Sequence, residues 1–302
     1  MRLSCDSRTR SVRDACAARA LLAVASLALR RNCLPPTLAD ASLDGRPGGA
    51  TEGGCAVSNS PTSDACSAAG TPSRSVLVTD RDRLAVRWCG EMYGVRRDVL
   101  RWALVVPGAD PLSLGRVGTI TRRWETLELV ESGRLQHGQP DWLWLTSKGV
   151  AFAGLDVEPG EPQLVNLAHT HAVGVVRARA EHVAWCIGWV PERLLLTEKP
   201  EARAHTPDAV LIGTDRCRWA VEVERTQKGS RRLDRIITAL ITRAAACDAA
   251  GPPEFPPAWW WNRVLYVPTT PGASGAVRRA VDRLPTHLQH LIAVRDLTEF
   301  TQ

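Results

Sequence analysis

Apolar positions recur at helical spacing from Val76 onward. Leu84, Trp88 and Met92 follow every four residues behind Thr79 and Asp80, which predicts an amphipathic helix with a capped start. Val99, Leu100, Ala103 and Leu104 predict a second helix, closed by Pro107-Gly108. A third begins near Ser113, with Leu114, Val117, Ile120, Trp124 and Leu127 along one side. Thr119, Arg122, Arg123 and Thr126 fall on its opposite side, and Arg116 lies at the edge of that face. Residues 129–137 and 141–146 then flank Gly138-Gln139-Pro140, a hairpin signal.

Three short helices followed by a hairpin describe a winged helix-turn-helix over residues 76–158. This arrangement would set the Arg116, Thr119, Arg122 and Arg123 face in a DNA major groove, with the wing from Arg134 to His137 on the backbone. The segment carries 11 basic and 11 acidic residues, so it is not electropositive as a whole. Three arginines nevertheless stand between Gly115 and Trp124 with no acid among them, which favours DNA over a plain solvated face.

Past Pro159-Gly160 the period changes. Residues 166–183 read as a helix, and 184–190 with 193–197 as strands. Residues 205–212 and 217–224 read as a strand pair, 230–247 as a long helix, 263–267 as a strand, 276–284 as a helix and 291–294 as a last strand. The order predicts a mixed sheet with helices on both faces over residues 159–302. Pro252 to Pro257 and the run Trp259-Trp260-Trp261 read as a loop packed on the core.

Composition narrows the class without identifying a function. The chain has 302 residues, 44% hydrophobic and 23% charged, which excludes collagen-like, wholly disordered and multi-span membrane classes. The net charge of +6, from 38 basic and 32 acidic residues, permits a polyanionic partner without demanding one. The nine cysteines are odd in number and form no Cys-x-x-Cys, so free thiols in a reducing cytoplasm are expected. Residues 15–29 are apolar but too short to span a bilayer, and no membrane partner is expected. Residues 35–75 are rich in Gly, Ser, Thr, Pro and Ala, so residues 1–75 are expected to be a disordered extension. No nucleotide-binding Gly-x-x-x-x-Gly-Lys motif and no Gly-x-Ser-x-Gly occur.

The densest chemistry lies between His205 and Arg235. A three-residue turn centred on Asp215 makes positions summing to 430 face each other, so Asp208 stands opposite Glu222, with Cβ atoms about 5 Å apart. Glu224 follows on the same face, and Lys228 has the same parity if extended geometry persists. Converging carboxylates repel one another, and Mg²⁺ or Mn²⁺ held by Asp208 and Glu222 would relieve that repulsion. The plainer alternative is a hairpin whose exposed acids pair with Arg218, Arg225 or Lys228. Arg231, Arg232 and Arg235 crowd the first turns of the following helix, where the dipole disfavours cations and DNA phosphates would reverse the cost. His169 and His171 are two apart on a helix and cannot share a metal; one of them could face the site, though a lone satisfied histidine is the plainer reading, and His205, three before Asp208, is either its neighbour or a turn histidine.

At these residues the sequence resembles the PD-(D/E)XK nuclease superfamily, with Pro207-Asp208 as the first half and Glu222-Val223-Glu224 as the second. Together with the preceding winged helix, the chain is similar to the replication-relaxation family of plasmid-associated proteins from about Thr79 to the last strand. The motifs that carry the resemblance are "WLTSKG", "TPDAVL" and "WAVEVERTQKGSRR". It implies a restriction-endonuclease-like α/β/α domain after the winged helix, a double-stranded DNA partner and Mg²⁺- or Mn²⁺-dependent nicking or cleavage. Asp208, Glu222 and Glu224 would be the catalytic acids, and Glu181 the extra acid of the first helix. Where the superfamily usually has Lys, this chain has Glu224, and Lys228 is the cation that would replace it. A non-catalytic DNA-binding regulator with a degenerate nuclease fold is the alternative that this substitution implies.

Overall fold

The computed structural model describes residues 78–197 and 205–301, so the expectations for residues 1–75 lie outside the described residues. Helix α1 (Asp80–Glu91) starts where expected: Thr79 Oγ1 accepts from Asp82 N–H, and the Asp82 carboxylate accepts from Thr79 N–H. A two-residue strand β1 (Val95–Arg96) follows, then α2 (Arg97–Ala103) and α3 (Leu114–Thr126), the last capped by Ser113. The expected hairpin forms as β2 (Val130–Gly133) and β3 (Trp142–Leu145), and α4 (Ser147–Ala153) closes the module behind Thr146. The three strands lie in the order β1-β3-β2, all antiparallel. Gly149 of "WLTSKG" permits a close approach, since a Cβ there would sit 1.8 Å from the Leu129 carbonyl oxygen.

A one-turn 3₁₀ helix (Leu164–Asn166) leads into α5 (Leu167–His182) and β4 (Cys186–Pro191). Residues 193–197, expected as strand, instead follow a short helix α6 (Glu192–Leu195) into a turn. Pro191 ends the ladder opposite Ala209, and Glu192 N–H donates to Asp208 O at 2.9 Å, which turns the chain out of the sheet. Strands β5 (Ala209–Gly213) and β6 (Arg218–Glu224), helix α7 (Ser230–Ala250) and strand β7 (Arg263–Pro268) follow. Helices α8 (Pro271–Asp282) and α9 (Thr286–Gln289), strand β8 (Ile292–Val294) and a 3₁₀ turn (Leu297–Phe300) complete the described chain.

The five-stranded sheet has the order β4-β5-β6-β7-β8, antiparallel through β6 and parallel from β6 onward. One face packs Leu211, Val221, Val223 and Leu265 against α5 and the first module. The other packs Val210, Ala220, Val264 and Tyr266 against α7 and α8, so helices cover both faces. Trp261 belongs to this second core and is 2% exposed, as the loop reading required. Its partner Arg243 lies 5.0 Å from the ring centroid. Cys89, Cys217 and Cys247 are free thiols, and no described helix is long and apolar enough to cross a membrane.

Candidate active site

The register of the β5–β6 hairpin sets the site. Ala209 pairs with Val221 and Ile212 with Arg218, so positions summing to 430 face each other, as the turn at Asp215 required. Asp215 fixes that turn through Oδ1, which accepts from Cys217 N–H at 2.9 Å. Beyond Ala209 the ladder becomes irregular, because Asp208 N–H donates to Val221 O rather than continuing opposite Glu222. The Asp208 side chain turns inward, and its Oδ2 accepts from Val223 N–H at 2.6 Å.

Strand parity places Glu222 and Glu224 with Ala220 on the α7 side, where they are 4% and 3% exposed. The plainer alternative, exposed acids paired to Arg218, Arg225 or Lys228, is therefore corrected as to exposure, while its pairing to Lys228 is present. Arg218 lies at the far end of β6 and donates to Pro256 O and Ala258 O. The strand ends at Glu224 and the chain bends at Thr226, so extended parity does not reach Lys228; its Nζ nevertheless lies 2.6 Å from Glu224 Oε2 and 3.7 Å from Glu222 Oε1. Tyr266 stands beside Glu222 in the parallel ladder, and its hydroxyl donates to Glu224 Oε2 at 3.3 Å.

Two histidines complete the arrangement. His169 Nε2, at the start of α5, lies 2.9 Å from Asp208 Oδ1, and His205 Nε2 lies 2.8 Å from Glu222 Oε2. The hydrogen bond to Asp208 raises the pKa of His169. Burial opposes charge on His205, but the Glu222 carboxylate outweighs it and the net direction is again upward. Burial, then the charge of Asp208, pushes the Glu222 carboxyl above the usual range. Glu192 is raised for the same two reasons.

Sequence reasoning let one of His169 and His171 face the site, behind the plainer reading of a satisfied histidine, and gave His205 a place beside Asp208 or in a turn with equal weight. The available signal was the placement of His205 three residues before Asp208 across Pro207, which turns it back toward the strand end. His171 does point elsewhere, 2.8 Å from Arg96 Nη2, and burial followed by that guanidinium pushes it down to about 4. Glu181 does not reach the site. It pairs with Arg177 at 3.1 Å and accepts from Trp88 Nε1, twelve residues and about 18 Å along α5 from His169.

Arg231, Arg232 and Arg235 are exposed on the first turns of α7, and Asp234 pairs with Arg283 at 2.5 Å. In the first module Arg116, Thr119, Arg122 and Arg134 are exposed, with Arg134 3.5 Å from Asp141. Arg123 differs. It pairs with Asp82 of α1, which is fully buried, so the expectation that this face meets no acid is corrected by a residue from another helix.

A cavity of about 490 Å³ opens beside Asp208 and His169, walled by residues from both modules and by the connection at residues 158–163. Among the described residues, no group of three or more His, Cys, Asp or Glu side chains is arranged to hold a metal ion. No family model matches the chain, and no curated protein or solved structure matches it either.

Proposed function

We propose that the chain is a DNA-binding protein of the replication-relaxation type, with a winged-helix module followed by a PD-(D/E)XK nuclease-like module that acts on the phosphodiester backbone. The observation that carries this reading is the gathering of Glu222, Glu224 and Lys228 at the end of β6, with Asp208 near enough for its charge to act on Glu222. The order of α5, three antiparallel strands, α7 and a parallel strand supports it. The α1–β3 order with the sheet β1-β3-β2 supports the winged-helix reading.

The acid pair suits a hard divalent cation. Glu222 is buried, and the charge of Asp208 already opposes its ionisation, so Mg²⁺ or Mn²⁺ held by Asp208 and Glu222 would relieve a conflict present in the protein. Such an ion, when bound, supplies Lewis-acid polarisation of a phosphoryl oxygen. The chain's own residues do the positioning. Val223 N–H and His169 orient Asp208, while His205 and Lys228 hold Glu222. Lys228 keeps a cation beside Glu224, where the superfamily carries its lysine.

The test is relaxation of supercoiled plasmid by the purified chain with Mg²⁺ or Mn²⁺. Asp208→Ala is expected to lower nicking by about 1,000-fold, several kcal/mol of transition-state stabilisation. Unchanged nicking in that variant would reject the site. A second reading, the non-catalytic regulator, is favoured by one observation: both carboxylates already carry imidazole partners. DNA binding without nicking under either ion would select it.

For the first module, Arg122→Ala is expected to reduce the slope of log affinity against log salt by about one unit without changing stability. Arg123→Ala is expected to lower stability instead, because it strips the buried Asp82 of a partner. Equal salt slopes for wild type and Arg122→Ala would remove α3 from the DNA interface.

A further inference from the structure

We propose that the cavity beside Asp208 receives a single unpaired nucleobase. This inference rests on the nuclease reading of the same site and specifies its substrate: DNA with an unpaired or extruded nucleotide. The cavity's volume, about 490 Å³, falls in the range of ordinary small-ligand sites.

Its lining selects the kind of group that enters. Glu91, Glu158, Glu161, Glu192 and Asp208 all contribute, against Arg193 and His169. Such a wall repels a phosphate backbone, so the cavity is not a groove for duplex DNA. A nucleobase is uncharged and carries donors and acceptors on its edges. Gln163, Asn166 and Thr170 offer neutral hydrogen-bonding side chains on the same wall.

Tyr93 supplies an aromatic surface. It lines the cavity, keeps 38% of its surface exposed, and has the Arg193 guanidinium 4.7 Å from its ring centroid. It also has φ of 62°, a left-handed conformation that is costly for a bulky residue. Tyr93 directly follows the C-cap of α1, where a left-handed residue ends the helix, and this places its ring at the cavity. Base–aromatic stacking is the interaction such a ring makes with any base. Because Asp208 and His169 line the cavity and form part of the candidate site, an occupant stacked there is adjacent to Asp208.

The test uses the full chain in EDTA, with fluorescent 2-aminopurine in three oligonucleotides: single-stranded, opposite an abasic position, and fully paired. The two unpaired probes are expected to bind at least about ten-fold more tightly than the paired one, with quenched fluorescence. Tyr93→Gly removes the ring and suits the positive φ, so it is expected to fold as stably as wild type while losing the preference. Tyr93→Trp is expected to restore it. Equal binding of all three probes by wild type, or an unchanged preference in Tyr93→Gly, would overturn the proposal. So would spermidine binding that is lost in Glu192→Gln without discrimination among the probes, which would assign the cavity to a cationic ligand. No cleavage is needed for this readout, so a failure of the nuclease reading appears separately, in the plasmid assay of Asp208→Ala.

Discussion

Arg177→Ala is expected to cost about 3–5 kcal/mol of folding free energy, the range for removing one partner of a buried ionic network. Arg177 is 5% exposed and joins the two modules. Its Nη2 donates to Glu91 Oε2 at 2.7 Å, its Nε donates to Glu181 Oε1 at 3.1 Å, and its guanidinium lies 4.8 Å from the Trp88 ring centroid. Losing the cation leaves Glu91 with Arg87, 2.8 Å away, and takes from Glu181 its pair along α5. Urea denaturation should show a lower midpoint, and Arg177→Met should recover little, since an apolar chain of similar length does not neutralise the acids. A double replacement, Arg177→Met with Glu91→Gln, is expected to recover part of the loss, because fewer uncompensated charges stay buried. A midpoint within error of wild type for Arg177→Ala would show that the network contributes nothing to the joint.

Asp82→Ala is expected to be nearly as severe, at about 3–5 kcal/mol, and confined to the first module. Its buried carboxylate accepts from Thr79 N–H, from Trp124 Nε1 at 3.1 Å and from Arg123, and so ties the start of α1 to α3. Burial opposes its ionisation, but the hydrogen bonds from Thr79, Trp124 and Arg123 prevail and lower the pKa below the usual 3.8. A depressed carboxylate contributes stability that is present above its unfolded value and lost as pH falls through its folded value. Wild type should therefore lose stability below about pH 4 by more than Asp82→Asn does, measured as urea midpoints across an acid series. Parallel acid profiles for the two proteins would refute the assignment.

These two residues also mark where sequence reading stopped. Asp82 stood in the sequence as a first-turn acid of α1, and Arg123 as one of a solvent-facing set on α3. Their pairing spans 41 positions, and no local period reports a contact between two helices. Arg177 and Glu181 form an i,i+4 pair that could be read from spacing. That spacing did not reveal Glu91 or the burial of all three groups, which arise only when α1 packs on α5. The two-residue strand β1 was invisible for a simpler reason: two residues carry no alternation.

The β5–β6 hairpin shows the opposite case. Its register followed from one turn and a period of two, and the structure pairs Ala209 with Val221 as that arithmetic required. The same parity brought Glu222, Glu224 and Lys228 together on paper before any coordinates. It could not say that the acids are buried, because burial depends on α7 and α8 covering that face. Nor could it say that α5 delivers His169 to Asp208.

Local rules by themselves therefore determined the helix starts near Thr79 and Ser113, both hairpins, and the shared face of Glu222 and Glu224. Each of these depends on residues within a few positions or on a strand's strict alternation, so the information is contained in short segments. Only the tertiary structure decided which charges are structural and which are free, which histidines meet the acids, and that the connection at residues 158–163 walls a cavity beside Asp208. Those outcomes depend on the distance and dielectric between groups far apart in the chain, and both are set by how helices and sheet pack rather than by any one segment.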